Sequence, residues 1–346
     1  MWECRAMGNM VKYRPSGRDN KKNQEYPTMN ATVLLRTITV AAMMASLAIH
    51  AEERMKIVVT SFPLYDWTRQ VIGETPNRFD LEFLQKNGTD LHSYQPTSID
   101  LVKVAQCDLF VCIGGESDEW SKRALVQKDN PRRRTLNLLK VLGAAAKMEE
   151  DHCNEHHHSD KHHHNDEHNN PDEHIWLSLR HAAKLSAAIA KELTALDPAN
   201  ATNYLKNAKA YSAKLTALDQ AYADAIAKSA HKTLLFADRF PFRYLADDYG
   251  LAYFAAFPGC SAESEASFKT IAFLAQKADA LELPAILTLE SSNGKIAKTV
   301  RATTKRRNQQ ILKLDSLQSV DEAHAKTVTY LDAMTRNLAT LKIALN

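Results

Sequence analysis

At 346 residues the chain is too long for one small domain and suits two compact ones, and its 45 % apolar content supports real cores. The 44 basic and 41 acidic side chains leave a net charge of only +3, which excludes a general pull toward nucleic acid or anionic lipid. The 14 histidines are the outlier, and where they fall matters more than how many there are.

Residues 1–54 read as an N-terminal extension and signal peptide rather than as part of the fold. Met29 to Arg36 is short and weakly basic, and Thr37 to Ala48 is an apolar run too short to span a bilayer comfortably. Ser46-Leu47-Ala48 and Ile49-His50-Ala51 offer small-residue cleavage sites. The polar, basic stretch before Met29 is ill-suited to precede a signal peptide, so translation is expected to begin at Met29. A retained membrane anchor is the competing reading. No cysteine follows the apolar run, so the expectation is an exported, periplasmic or cell-surface protein without a lipobox. Cys107, Cys112, Cys153 and Cys260 remain after the leader. Cys107 and Cys112 flank an extended segment about 16 Å long, beyond disulfide reach, which points to buried thiols.

The body then alternates strands and helices. Lys56 to Phe62 is a β-branched run that reads as a buried strand, and Asp80 to Leu84 reads as a second, ending at Asn87-Gly88. Residues 97–106 have helical spacing with Thr97 or Ser98 as N-cap, Asp108 to Ile113 is a third strand, and Thr135 to Leu139 a fourth. This grammar indicates α/β architecture with parallel sheets and crossover helices. Residues 149–170 break it: acidic, histidine-laden and without apolar periodicity, they read as a loop. Tyr204, Ala208, Tyr211, Leu215, Leu218, Tyr222 and Ala225 then form one stripe along a helix that starts near Asp197-Pro198 or Asn200 and runs to about Lys228. A coiled-coil dimer competes with a spine between lobes for this stripe. The alternation resumes with strands at 232–237, 252–257, 285–289 and 310–314, a helix at 268–278 and a closing helix at 328–345. The expected division is a lobe over 55–195, a linking helix over 196–230 and a second lobe over 231–346.

Three features carry chemistry. His92 lies just past a strand's carboxyl end, where open parallel sheets place ligands, and imidazole is the commonest side-chain ligand for transition metals. His174 follows the acidic loop and precedes Ile175-Trp176-Leu177, an apolar anchor able to fix the backbone beside it. The loop itself holds His152, His156, His157, His158, His162, His163, His164 and His168, a cluster that can chelate Zn²⁺ without a prebuilt site.

With these residues in view, the sequence from Lys56 onward closely resembles the substrate-binding proteins of zinc and manganese ABC importers, the ZnuA/TroA-like group. The resemblance rests on Gly88 to Tyr94, Gly114 to Trp120, Asp172 to Leu177, the Tyr204–Tyr222 stripe with Asn207, Tyr244 with Tyr249-Gly250-Leu251, and Leu314 to Leu317. It implies two (β/α)₄ lobes joined by one long rigid helix, with a metal in the cleft between them. It also implies His92 and His174 as ligands and Asp315 as the C-terminal carboxylate. Where the family carries a third histidine this chain has Arg239, whose guanidinium cannot coordinate a cation. Glu263 is the first choice to complete the set, with Glu265 and Cys260 behind it, giving two nitrogens and two carboxylates. Arg239 would then orient one of the carboxylates.

The implied function is high-affinity Zn²⁺ binding and delivery to an ABC importer permease by a non-enzymatic monomer with no nucleic-acid partner. Mn²⁺ is the alternative ion, because two carboxylates lean that way while the histidine loop leans to zinc. A zinc-dependent hydrolase and an adhesin or zinc buffer without a permease are the competing classes.

Overall fold

The computed structural model describes residues 54–127, 129–149, 170–259 and 265–346. The leader, the eight loop histidines, Cys153, Cys260 and Glu263 lie outside the described residues. Contacts divide the chain at residue 53, and Arg54–Asn346 forms one compact unit.

That unit contains two four-stranded, all-parallel sheets. The first has the order β2-β1-β3-β4, from β1 (Met55–Val59), β2 (Phe79–Phe83), β3 (Leu109–Cys112) and β4 (Arg134–Asn137). Its crossovers carry α1 (Phe62–Ile72), α2 (Ser98–Gln106) and α3 (Ser121–Val126), and α4 (Leu138–Leu142) and α5 (Leu179–Leu196) follow. After α6 (Ala201–Lys228), the second sheet repeats the plan in the order β6-β5-β7-β8, from β5 (Thr233–Phe240), β6 (Ala252–Pro258), β7 (Ala285–Leu289) and β8 (Gln310–Leu314). Here α7 (Arg243–Asp248), α8 (Phe268–Ala280) and α9 (Lys295–Thr303) are the crossovers, and α10 (Glu322–Thr327) and α11 (Tyr330–Ala344) close the chain. The α/β architecture expected from the strand–helix grammar is the one observed.

Alternation along each strand decides which core it joins. Ile57 and Val59 of β1, Leu109 and Val111 of β3, Leu234 and Phe236 of β5, and Leu287 and Leu289 of β7 all enter one continuous core. Val58, Phe110 and Cys112 face a smaller cluster on the outer side of the first sheet, and Leu235, Ala237 and Ile286 one on the outer side of the second. The shared core therefore runs through both lobes, and α6 lies across it. Its 28 residues, about 42 Å long at 1.5 Å per residue, bury Tyr204, Ala208, Tyr211, Leu215, Tyr222 and Ile226. The helix packs on α1 and α5 of one lobe and α11 of the other, and the Tyr222 hydroxyl donates to the Met334 carbonyl at 2.6 Å.

Two expectations shift. The first strand ends at Val59, and Phe62 opens a helix with Pro63 in its first turn, where the fixed φ of proline suits helix entry. The fourth strand ends at Asn137, whose side chain accepts the Lys140 N–H and starts α4. Cys107 and Cys112 are buried free thiols, and burial pushes Cys107 up to about 12.

Candidate metal centre

The site forms where the carboxyl ends of β2, β3 and β8 meet the segment entering α5. After β2 the chain turns at Gly88 (φ 66°), and Asn87 bridges to Asp321 of the second lobe. Asp90 caps a short 3₁₀ turn, Leu91–Ser93, by accepting the His92 N–H at 3.0 Å, while Leu91 is buried beneath it. His92 thus projects from a turn fixed by a cap above and an apolar anchor below.

His174 is held more tightly and is 1 % exposed. Asp172 Oδ1 accepts both its backbone N–H, at 2.9 Å, and its ring Nδ1–H, at 2.8 Å. The apolar anchor acts as its sequence suggests: Trp176 donates Nε1–H to the Ser316 carbonyl at 2.8 Å, and its own carbonyl accepts the Tyr330 hydroxyl at 2.5 Å. Tyr244 ties the preceding residues, donating to the Asp172 carbonyl and accepting the Lys147 N–H, each at 2.9 Å. The ends of the histidine-rich segment are pinned here too, because the Glu149 N–H meets the Asn170 carbonyl at 2.9 Å and Met148 bridges to Pro171.

The two Nε2 atoms lie 3.1 Å apart. Two imidazoles on one tetrahedral zinc, each bonded at about 2.0–2.1 Å, hold their nitrogens about 3.3 Å apart. The partners behind the rings settle the tautomers. His174 Nδ1 faces the acceptor Asp172, and His92 Nδ1 faces Ser117 Oγ at 3.1 Å and Glu173 Oε2 at 3.8 Å. With the protons on Nδ1, both Nε2 lone pairs point at one spot, as metal-binding imidazoles require. Burial drives the His92 pKa well below the ordinary histidine value, so the ring is neutral near pH 7.

Glu173 is the buried strut of this arrangement. Its Oε1 accepts the Ser117 N–H at 2.8 Å, and Oε2 has no hydrogen-bond partner. Burial raises its pKa. Gly115 makes the fit possible, since a Cβ there would stand 2.0 Å from Glu173 Oε1.

The third group at the pair is Gln318, which is 4 % exposed. Its Nε2 lies 3.1 Å from His92 Nε2 and 2.9 Å from His174 Nε2, donating to both lone pairs. A flip of the amide presents a neutral oxygen to the same spot. Sequence reasoning missed Gln318 and named Asp315, three residues earlier. The structure does not bring Asp315 to the pair: its Oδ1 accepts the Leu317 N–H at 2.9 Å, and Oδ2 faces Arg336 at 3.8 Å. Leu317 adopts φ 61°, and this turn directs residue 318, not 315, toward the histidines. The available signal was a polar residue immediately after the Leu314–Leu317 motif.

Arg239, at the end of β5, donates Nη2–H to Asp90 Oδ2 at 2.8 Å, linking the two lobes beside His92. Its described partner is Asp90 rather than Asp315; Glu263, the other carboxylate expected from the sequence, lies outside the described residues. Glu265 is exposed and is not among the contacts of the pair. Among the described residues no group of three His, Cys, Asp or Glu forms a metal cluster.

Two parallel-sheet lobes, a continuous spanning helix and converging imidazoles at the seam define a two-lobed α/β binding protein with a metal-type cleft. The sequence matches the model of the family described as "ZnuA: Zinc-uptake complex component A periplasmic" over residues 57–344, and the chain belongs to that family. It is 30 % identical over 297 residues to the zinc-binding lipoprotein AdcA of Streptococcus pneumoniae, covering 84 % of this chain and 56 % of that protein. It is 30 % identical over 293 residues to the high-affinity zinc uptake system protein ZnuA of Bacillus subtilis, covering 85 % and 88 %. The chain thus spans a little over half the length of the streptococcal relatives. The Zn(II)-bound ZnuA-like domain of S. pneumoniae AdcA superposes with a TM-score of 0.65 at 28 % identity, over 84 % of this chain and 99 % of that one.

Proposed function

We propose that this chain captures Zn²⁺ between His92 and His174 at the seam of the lobes and passes it to the membrane permease of an ABC importer. The observation that carries the reading is the convergence of two Nε2 lone pairs 3.1 Å apart, one on buried His174 and one on half-buried His92, each ring backed by Asp172 or by Ser117 and Glu173. Among the described residues the pair has nitrogen donors and no carboxylate, which favours zinc over manganese. The similarity to a zinc-binding lipoprotein and to a zinc uptake protein supports the same ion. The eight loop histidines would act as a weaker gathering device. Their segment leaves and returns at residues 149 and 170, four positions before His174.

The test is a zinc competition titration on wild type, His92→Ala and His174→Ala, followed by loading of permease-containing vesicles. Each alanine variant should lose the tight class of ion and keep the weaker one. An unchanged tight class in both variants would remove the cleft from the reading. Deleting residues 151–169 should leave a folded protein that still binds one ion tightly.

A further inference from the structure

We propose that the cleft takes zinc as a ternary cargo, the ion together with a small carboxylate anchored by Arg239, an inference that rests on the zinc reading above. Among the described residues the donors at the pair are two neutral imidazoles and one neutral carboxamide, which fill three of the four positions zinc uses and supply no negative charge.

The neighbouring carboxylates are turned to other work. Asp90 accepts the His92 N–H on one oxygen and Arg239 on the other. Asp172 holds His174 through Oδ1, and Glu173 accepts from Ser117. They orient the rings from behind, and no described carboxylate takes the fourth coordination position.

Arg239 is suited to receive a carboxylate from elsewhere. Its side chain is 21 % exposed, and one of its five N–H donors is assigned, to Asp90. A guanidinium fork accepts a carboxylate with two parallel hydrogen bonds, a geometry that a lysine ammonium does not offer. Gly259, just past β6, lets the backbone pack closely on β5 beside the His174 ring: a Cβ there would stand 2.8 Å from the Phe240 carbonyl and 3.4 Å from Cε1. A zinc-bound carboxylate would add a negative donor and place it near Arg239, whose charge already acts on His92. No proton moves in this step; the anion binds as it exists in solution.

The experiment is a zinc competition titration of the full chain in sodium acetate and in sodium perchlorate at matched ionic strength, with Co²⁺ absorption as a second readout. In wild type, acetate should tighten the cleft class about tenfold, the scale of a charge-assisted contact, and shift the Co²⁺ bands. Arg239→Gln should lose that gain, and Arg239→Lys, which keeps the charge without the fork, should retain part of it. An equal gain in wild type and Arg239→Gln overturns the role of Arg239. Absence of any gain, with His92→Ala still removing the tight class, overturns the ternary cargo while the zinc reading stands; it assigns the fourth position to the protein, residues 260–264 included. A tight class that survives His92→Ala overturns both.

Discussion

Gln318→Glu is the substitution that most directly interrogates the cleft. The amide nitrogen of Gln318 stands 3.1 and 2.9 Å from the two histidine nitrogens, in a position only 4 % exposed. A carboxylate there changes the donor set from neutral to anionic without changing its size. The expected gain is the difference between a neutral and a charge-assisted contact, about 1–2 kcal/mol, or about tenfold in zinc affinity. The metal-free protein should respond in the opposite sense. A carboxylate has no proton to give the two Nε2 lone pairs, so it holds a proton on one imidazole and raises that ring's pKa. Protons then compete with zinc, and the gain should be full at pH 8 and smaller at pH 6. For the same reason the metal-free variant should melt below wild type and recover on adding zinc. Competition titration at both pH values and thermal melts with and without zinc measure these effects. Affinity unchanged or weakened at pH 8 would refute the claim that residue 318 reaches the ion.

Asp172→Ala removes the acceptor that fixes the His174 tautomer, and zinc affinity should fall about 10–100-fold, measured by the same titration. Gly115→Ala drives a methyl group to 2.0 Å from Glu173 Oε1; it should cost about 1–3 kcal/mol by denaturant melt and weaken zinc binding through the displaced His174 segment. Burial beside Asp315 raises the Glu290 pKa to about 7, above its unfolded value, so its protonated form stabilises the fold below the unfolded pKa and this contribution is lost as pH rises through 7. Glu290→Gln should therefore gain in melting temperature relative to wild type between pH 5 and pH 8.5, and a difference flat with pH would contradict that account.

What the sequence made legible follows from which interactions are local. Strands such as Asp108 to Ile113 and the Tyr204–Tyr222 stripe announce themselves because burial repeats at a fixed period. His92 and His174 were visible because each sits beside a fixing element read in sequence, a turn after a strand in one case and Ile175-Trp176-Leu177 in the other. Helix α1 was missed because Phe62 continues an apolar run, and the decisive residue, Pro63, is equally at home in a turn. The short helices α3 and α7 carry too few turns to show a period.

Gln318 was missed for a different reason. After β8 the backbone makes a turn stabilised by Asp315 and by Glu290, whose carboxylate takes the Ser316 N–H and hydroxyl at 2.8 and 2.7 Å. Leu317 enters the left-handed region, which a leucine rarely does, and no local signal marks it. The facing of 315 against 318 is fixed by β7, α11 and Trp176 together, all distant in sequence.

The distribution of constraint around the cleft bears on how the site works. His174 is held by Asp172, Trp176, Tyr244 and Tyr330, contacts that draw on both lobes, and through Ser316 the same set holds the turn that carries Gln318. The His92 turn is tied more lightly, through the Asp90 cap and its ion pair with Arg239, Ser117 Oγ behind the ring and the Asn87–Asp321 bridge at its start. Release of an ion from such a site would need motion mainly on the less constrained side, where loss of the Asp90–Arg239 pair would loosen the His92 turn while the spanning helix and the His174 side remain packed. A continuous core through both lobes makes wide opening costly, whereas a shift of one short turn disturbs few buried contacts. Loading and unloading would then be governed by the ionic contact at Asp90, which salt and competing anions can reach.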